Sequence, residues 1–160
     1  MPSKLAVQTY TIRDFLKTEA DLRDSMRKVR DIGYEAVQLS GVGCMNGDAP
    51  EVTAAKAREI LDEQGLACIA THRNWAPLLA DTEAEIAFHK TLGCDYVAIG
   101  GLPGEYFADA AGAKRFLDEA ERVLPRLRRQ APSRFRSPRT CGSLNLWTGS
   151  KPSVPARGPR

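Results

Sequence analysis

The sequence predicts an α/β fold of about four βα units with parallel strands, and three observations predict it. First, one grammar recurs: a helical stretch, a glycine, then a short β-rich run. It reads Asp31-Ile-Gly33-Tyr-Glu-Ala-Val-Gln-Leu39, Glu63-Gln-Gly65-Leu-Ala-Cys-Ile-Ala-Thr71 and Thr91-Leu-Gly93-Cys-Asp-Tyr-Val-Ala-Ile99, with the glycines 32 and 28 residues apart. Each glycine suits the left-handed position that ends a helix, and each run suits a strand buried on both faces. Second, a capped amphipathic segment precedes or follows each run. Third, an alternating strand opens the chain, so the order is β-α-β-α-β-α-β-α with short links. Such an order implies right-handed crossovers between parallel strands. A doubly wound sheet can stop near four units, whereas a complete (β/α)8 barrel takes about 250 residues.

The elements follow in order. Leu5–Thr9 is the first strand. Thr18 with Asp21 forms a capping box for a first helix carrying Leu22, Met26 and Val29 at helical spacing. Residues 34–39 form the second strand. Pro50 suits the first turn of a second helix, ahead of Ala54, Ala57 and Leu61. Residues 66–71 form the third strand. Asp81 caps a third helix with Glu83 and Glu85 near its positive end. Residues 94–99 form the fourth strand, and Asp109 caps a fourth helix bearing Phe116, Leu117, Ala120 and Leu124.

Composition narrows the class. Apolar residues make up 42% and charged residues 27%, ordinary for a globular protein. No apolar run reaches the roughly 18 residues of a membrane span, so no membrane partner is expected. The start, Met1-Pro2-Ser3-Lys4, shows no apolar signal region, and a cytoplasmic location is expected. Cys44, Cys68, Cys94 and Cys141 form no C-x-x-C pair, which argues against a zinc ribbon or a disulfide scaffold.

Charge divides the chain in two. Residues 1–125 carry 14 Lys and Arg against 20 Asp and Glu; residues 126–160 carry nine Lys and Arg, no acid and five of the ten prolines. The second segment has too little patterned apolar surface to offset its ordering entropy, so it is expected to be a disordered basic tail. It offers no folded motif or stacking platform, so no specific nucleic-acid partner is expected.

In α/β folds of this kind ligands meet the C-terminal ends of the strands. The residues there are Gln8, Tyr10 and Arg13; Gln38, Ser40 and Gly41-Val42-Gly43; Thr71, His72, Asn74 and Trp75; and Gly100, Gly101, Pro103 and Glu105. They suit a small polyhydroxylated ligand, with amides on its hydroxyls and Tyr10 or Trp75 against an apolar ring face. Gln8, Tyr10, Gln38, His72 and Trp75 are the candidate substrate-binding residues. Each has a plainer reading: the glutamines and His72 can equally be structural groups satisfied by neighbours. Arg13 can meet a phosphate, serve as a cap, or pair with Asp14 or Glu105. His89, on the third helix, reads as a surface residue, and Cys68 and Cys94 as small buried hydrophobes. Glu35 and Asp95 follow helix-ending glycines and belong to the opposite end of the sheet.

Several of these segments resemble one family. Val7-Gln-Thr-Tyr-Thr-Ile-Arg-Asp14 is similar to the opening Q-x-Y-[ST]-[VI]-R-D of the sugar phosphate isomerase/epimerase family, the xylose-isomerase-like TIM barrels. Ile32–Gly41 resembles that family's second strand, Ala70-Thr-His72 its third, and Tyr96–Pro103 its fourth, in order over about residues 4–124. The resemblance implies a partial (β/α)8 TIM barrel: residues 1–125 as the N-terminal half, residues 126–160 as the tail. It implies a small sugar or sugar phosphate as ligand. It also implies, in the intact family, a divalent metal (Mn, Mg, Co or Zn) and proton transfer next to a carbonyl. The metal ligands and reactive carboxylates come mostly from strands 5 to 8 of such barrels. No catalytic residue and no metal ligand is therefore assigned in this chain, and no bound metal is expected.

The tail departs from the family. Arg134-Phe-Arg-Ser-Pro-Arg-Thr-Cys-Gly-Ser-Leu-Asn-Leu-Trp147 stands where a fifth strand of the type F-x-Y-H-N-H would follow. Its bias is that of a GC-rich gene read out of frame, beginning within 124–131. Two functional readings follow: an isomerase/epimerase half that is inactive or weak alone, or a non-catalytic module binding a small molecule or protein. A half barrel also exposes strand edges, so a homo-oligomer is expected.

Overall fold

The structure is a computed structural model, and it describes residues 5–130. The expected tail therefore lies outside the described residues, apart from residues 126–130.

Four strands, β1 (Ala6–Gln8), β2 (Ala36–Leu39), β3 (Ala67–Asn74) and β4 (Val97–Gly101), form one sheet in the order β1-β2-β3-β4. All three pairings are parallel, with Gln8 opposite Gln38, Leu39 opposite Thr71, and His72 opposite Ala98. Sequential order decides between the two arrangements left open above. A doubly wound sheet reverses its order at a switch point, and this sheet does not, so it follows the course of a barrel wall.

Five α-helices flank it: α1 (Glu19–Asp31), α2 (Ala54–Glu63), α3 (Trp75–Ala80), α4 (Thr82–Leu92) and α5 (Ala110–Gln130). The capping box on α1 is complete: the Thr18 hydroxyl accepts from the Asp21 N–H at 3.1 Å, and the Asp21 carboxylate accepts from the Thr18 N–H at 3.1 Å. Asp81 accepts from the Ala84 N–H at 2.9 Å, and Asp109 from the Gly112 N–H at 2.7 Å, as their positions predict. Gly93 closes α4 in the left-handed conformation, φ 68°.

Two expectations are corrected. Pro50 does not open α2; Thr53 caps it, accepting from the Lys56 N–H at 3.3 Å, because a hydroxyl that satisfies an orphan amide outweighs a pre-set φ. The short α3 interposes between β3 and α4. α5 itself runs through Pro125 to Gln130. A proline forgoes one helical hydrogen bond, and Val123, Leu124 and Leu127 hold the helix to its neighbours.

Two apolar clusters form the core. The larger joins Leu22, Met26, Val29, Ala57, Ile60 and Leu61 of α1 and α2 to Val37, Leu39 and Cys68 of the sheet. The smaller joins Trp75 and Leu78 of α3 to Ala120 and Val123 of α5, with Tyr106 and Val97. Both lie on one side of the sheet. The alternate residues, Gln8, Gln38, Ala70, His72 and Ala98, turn to the other side, which in a closed ring is the interior.

No described helix is long and apolar enough to cross a membrane.

Candidate functional site

A cleft of about 850 Å³ opens at the C-terminal ends of the strands. Gln8, Tyr10, Ser40, His72 and Asn74 line it, with Gly41, Gly100 and the Met45–Asp48 loop. β1 and β3 end in polar residues, Gln8 and Asn74, and Ser40 follows the end of β2. The 3-10 helix Thr9–Phe15 begins directly after Gln8, and the Thr9 hydroxyl ties it to β2, donating to the Ser40 carbonyl and accepting from the Ser40 N–H, both at 2.8 Å.

His72 reaches the cleft through an irregularity. Between Val37/Gln38 of β2 the ladder skips Ile69 of β3, so Cys68 and Ala70 are successive partners. This bulge shifts the alternation by one. Thr71 then faces the helices and His72 the cleft; strict alternation from Cys68 gives the reverse. Gly100 completes the fit, since a Cβ there lies 3.2 Å from the His72 Cβ.

Gly41 does the same for Tyr10. Its φ is +66°, and a Cβ at this position lies 2.9 Å from the Tyr10 ring. Arg13 stacks its guanidinium 4.5 Å from the centre of that ring and donates to the Tyr10 carbonyl at 3.0 Å. It pairs with neither Asp14 nor Glu105; Glu105 binds Arg115 at 2.8 Å.

The structure thus brings together three of the five candidate residues, Gln8, Tyr10 and His72. Gln38 lies opposite Gln8 in the ladder, one step outside the cleft lining. Trp75 is turned away. Its ring is 3% exposed, packs edge-on to Phe116 at 5.0 Å and donates its indole N–H to Glu119 at 2.8 Å. The Tyr106 hydroxyl donates to the same carboxylate oxygen at 2.8 Å. These two donors hold the Glu119 carboxyl below the usual carboxylate range. Trp75 anchors α3 and α5 and offers no face to a ligand here.

His89 is also corrected. It is 9% exposed, not a surface residue. Its Nδ1 lies 2.6 Å from the Glu85 carbonyl and its Nε2 2.6 Å from the Thr71 hydroxyl. A carbonyl only accepts, so Nδ1 carries the proton and Nε2 accepts from Thr71. Burial pushes the imidazole pKa down and keeps it neutral. Thr71, expected at the ligand end, is spent on this bond. Arg73 leans the same way, pairing with Glu85 at 2.5 Å and stacking on Phe88.

The side chains of Gln8, Gln38, His72 and Asn74 make no hydrogen bond within the described residues, so their donors and acceptors are available to a ligand. Asn46 and Asn74 are lining residues absent from the five; Asn74 ends a β-rich run, whereas Asn46 comes from a loop with no periodicity to mark it. A second cavity of about 260 Å³ lies at the other end of β4, by Cys94 and Asp95. Its imidazole, His89, is already committed on both nitrogens. Glu35 and Asp95 are absent from the cleft lining, as expected.

His72 and Asp48 are the cleft's only lining residues of a metal-binding type, and no three His, Cys, Asp or Glu gather into a metal-holding group among the described residues.

No family profile and no curated protein matches the sequence. Solved structures do match the fold. A xylose isomerase domain containing protein from Salmonella typhimurium LT2 aligns over 78% of this chain and 45% of its own, at TM-score 0.59 and 10% identity. A sugar phosphate isomerase/epimerase from Parabacteroides distasonis aligns over 79% of this chain and 49% of its own, at TM-score 0.56 and 16% identity. A fusion of a xylose isomerase-like TIM barrel with 4-hydroxyphenylpyruvate dioxygenase aligns over 81% of this chain and 21% of its own, at TM-score 0.58 and 15% identity. The chain spans about half the length of the first two. Its fold is that of part of a xylose-isomerase-like TIM barrel, carried by four parallel βα units in sequential order.

Proposed function

We propose that this chain is the substrate-holding wall of a sugar or sugar-phosphate isomerase/epimerase, and that alone it binds such a ligand with little or no turnover. One observation carries the reading. Gln8, His72 and Asn74 converge on a cleft at the C-terminal strand ends with their hydrogen-bonding groups uncommitted, beside the exposed ring of Tyr10. Amides and an imidazole around an aromatic face suit a ligand rich in hydroxyls. The fold of the structural neighbours supports the same ligand class. Proton transfer next to a carbonyl needs a positioned base and a stabiliser for the developing oxyanion. Among the described residues the cleft supplies one carboxylate, Asp48, and one imidazole, His72. Asp48 is exposed on its loop and makes no hydrogen bond or ion pair within the described residues, so its carboxylate is not held in place as a base, which is the reason for expecting little turnover.

Calorimetric titration with aldoses, ketoses and their phosphate esters tests this, together with an isomerisation assay in Mn²⁺, Mg²⁺ or Co²⁺. The expected result is saturable binding, weakened about tenfold (about 1.4 kcal/mol) in His72→Ala with the melting temperature unchanged. Failure of every sugar to bind contradicts the ligand class. Rapid metal-dependent turnover contradicts the claim of low activity.

A further inference from the structure

We propose that Cys68 and Cys94 form a reversible thiol–disulfide site, in which hydrogen peroxide oxidises Cys94 and Cys68 closes the disulfide. The proposal is independent of the ligand in the cleft, because the pair sits at the opposite end of the strands.

Strand register brings the two side chains together. β3 and β4 pair with Thr71 opposite Val97, and the Thr71 N–H donates to the Tyr96 carbonyl at 3.0 Å. Three residues back along both parallel chains, Cys68 stands opposite Cys94. Strand neighbours lie about 4.8 Å apart, and Cα separations of about 4.4–6.8 Å suit a disulfide. The sides match as well. Both thiols belong to the apolar cluster on the helix side of the sheet, Cys68 at 4% and Cys94 at 5% exposure. Each sulfur lies by the carbonyl two residues further along its own chain, Cys68 Sγ 3.5 Å from the Ala70 oxygen and Cys94 Sγ 3.3 Å from the Tyr96 oxygen. Equal local geometry on neighbouring strands turns the two sulfurs the same way, and the thiols hydrogen-bond each other.

The pair is not symmetrical, and this sets the order of events. Cys94 lines the cavity of about 260 Å³ at that end of β4, beside Ile86, His89 and Lys90, and Cys68 does not. A small oxidant therefore meets Cys94 first. The bond from Cys68 holds the Cys94 thiol below its usual value against the opposing effect of burial, whereas the same bond and burial push Cys68 up. The thiolate is the nucleophile, so acidity also selects Cys94.

The chemistry balances in two steps. The Cys94 sulfur attacks one peroxide oxygen; an S–O bond forms, the O–O bond breaks, and one water leaves, giving a sulfenic acid. The Cys68 sulfur then attacks the Cys94 sulfur; the S–S bond forms, the S–O bond breaks, and the hydroxyl leaves as a second water with the Cys68 proton. The two thiols give up two electrons and two protons in all, and the peroxide takes them. A thiol reductant reverses the bond by exchange.

Peptide mapping tests this. The folded chain is treated with hydrogen peroxide at a dose that leaves its circular dichroism spectrum unchanged, and its free thiols are then blocked with N-ethylmaleimide in denaturant. Trypsin places Cys68 in peptide 59–73 and Cys94 in peptide 91–114. These two are expected to appear joined, two hydrogens lighter than their sum, and to separate with dithiothreitol. Cys44, buried at 3% exposure and with its thiol raised to about 11, is expected to stay free and take the blocking reagent. In Cys68→Ala a sulfenic acid on Cys94 is expected, trapped by dimedone; in Cys94→Ala, Cys68 is expected to stay reduced. A chain that keeps both thiols reduced overturns the proposal. So does a link from either one to Cys44 or Cys141, or a dimedone label on Cys68 rather than Cys94. If a variant fails to fold, the wild-type map decides alone.

Discussion

Gly41 and Gly100 are where single residues shape the cleft most directly. Gly41 combines a positive φ with a ring 2.9 Å from the place of its missing Cβ. Gly41→Ala is expected to lower stability by about 1–2 kcal/mol, from the left-handed conformation alone, and to displace Tyr10. Chemical denaturation measures the first effect and the Tyr10 NMR resonances the second. His89 carries a pH signature. The unfolded imidazole takes up a proton as the pH falls through about 6.5, whereas burial holds the folded one neutral to lower pH. The unfolded state therefore binds more protons in that interval. This contribution to stability is complete above pH 6.5 and is lost as the pH falls below it, by at most about 1.4 kcal/mol per unit. His89→Ala is expected to abolish this slope and to cost about 2–3 kcal/mol, because the Thr71 hydroxyl loses its acceptor. Denaturation midpoints from pH 8 to pH 5 read both. Cys44 is inert by the same logic: burial raises its thiol to about 11.

At the scale of elements, the local rules were legible where a single contact decides the outcome. Thr18 with Asp21, Asp81 and Asp109 all cap the helices their spacing announces. Thr18→Ala is expected to cost about 1 kcal/mol, read by thermal melting, since it removes one side of a reciprocal pair at an exposed helix end. Legibility failed where distant partners decide. Trp75 ends a β-rich run like any ligand-facing aromatic, and only Glu119, 44 residues later, turns it into the second core. His89 looks like a surface residue until the third strand, 18 residues earlier, presents Thr71 to it. The face of His72 depends on the bulge at Ile69, and no periodic pattern marks a bulge in advance. Sequence position puts His72 near the C-terminal end of β3; backbone geometry sets its side of the sheet.

For the whole molecule, the repeated helix, glycine and strand grammar was enough to foresee four parallel units, and sheet order alone separated a barrel wall from a doubly wound sheet. What the wall is for rests on one claim: the uncommitted polar groups at the C-terminal strand ends form a ligand site. The most direct test is an NMR titration of the ¹⁵N-labelled chain with a sugar and its phosphate ester. Saturable amide shifts confined to the segments around Gln8–Arg13, Ser40–Asp48, His72–Asn74 and Gly100 are expected. Shifts centred instead on the opposite end, around His89–Asp95, or no saturable shifts with any such ligand, contradict that claim.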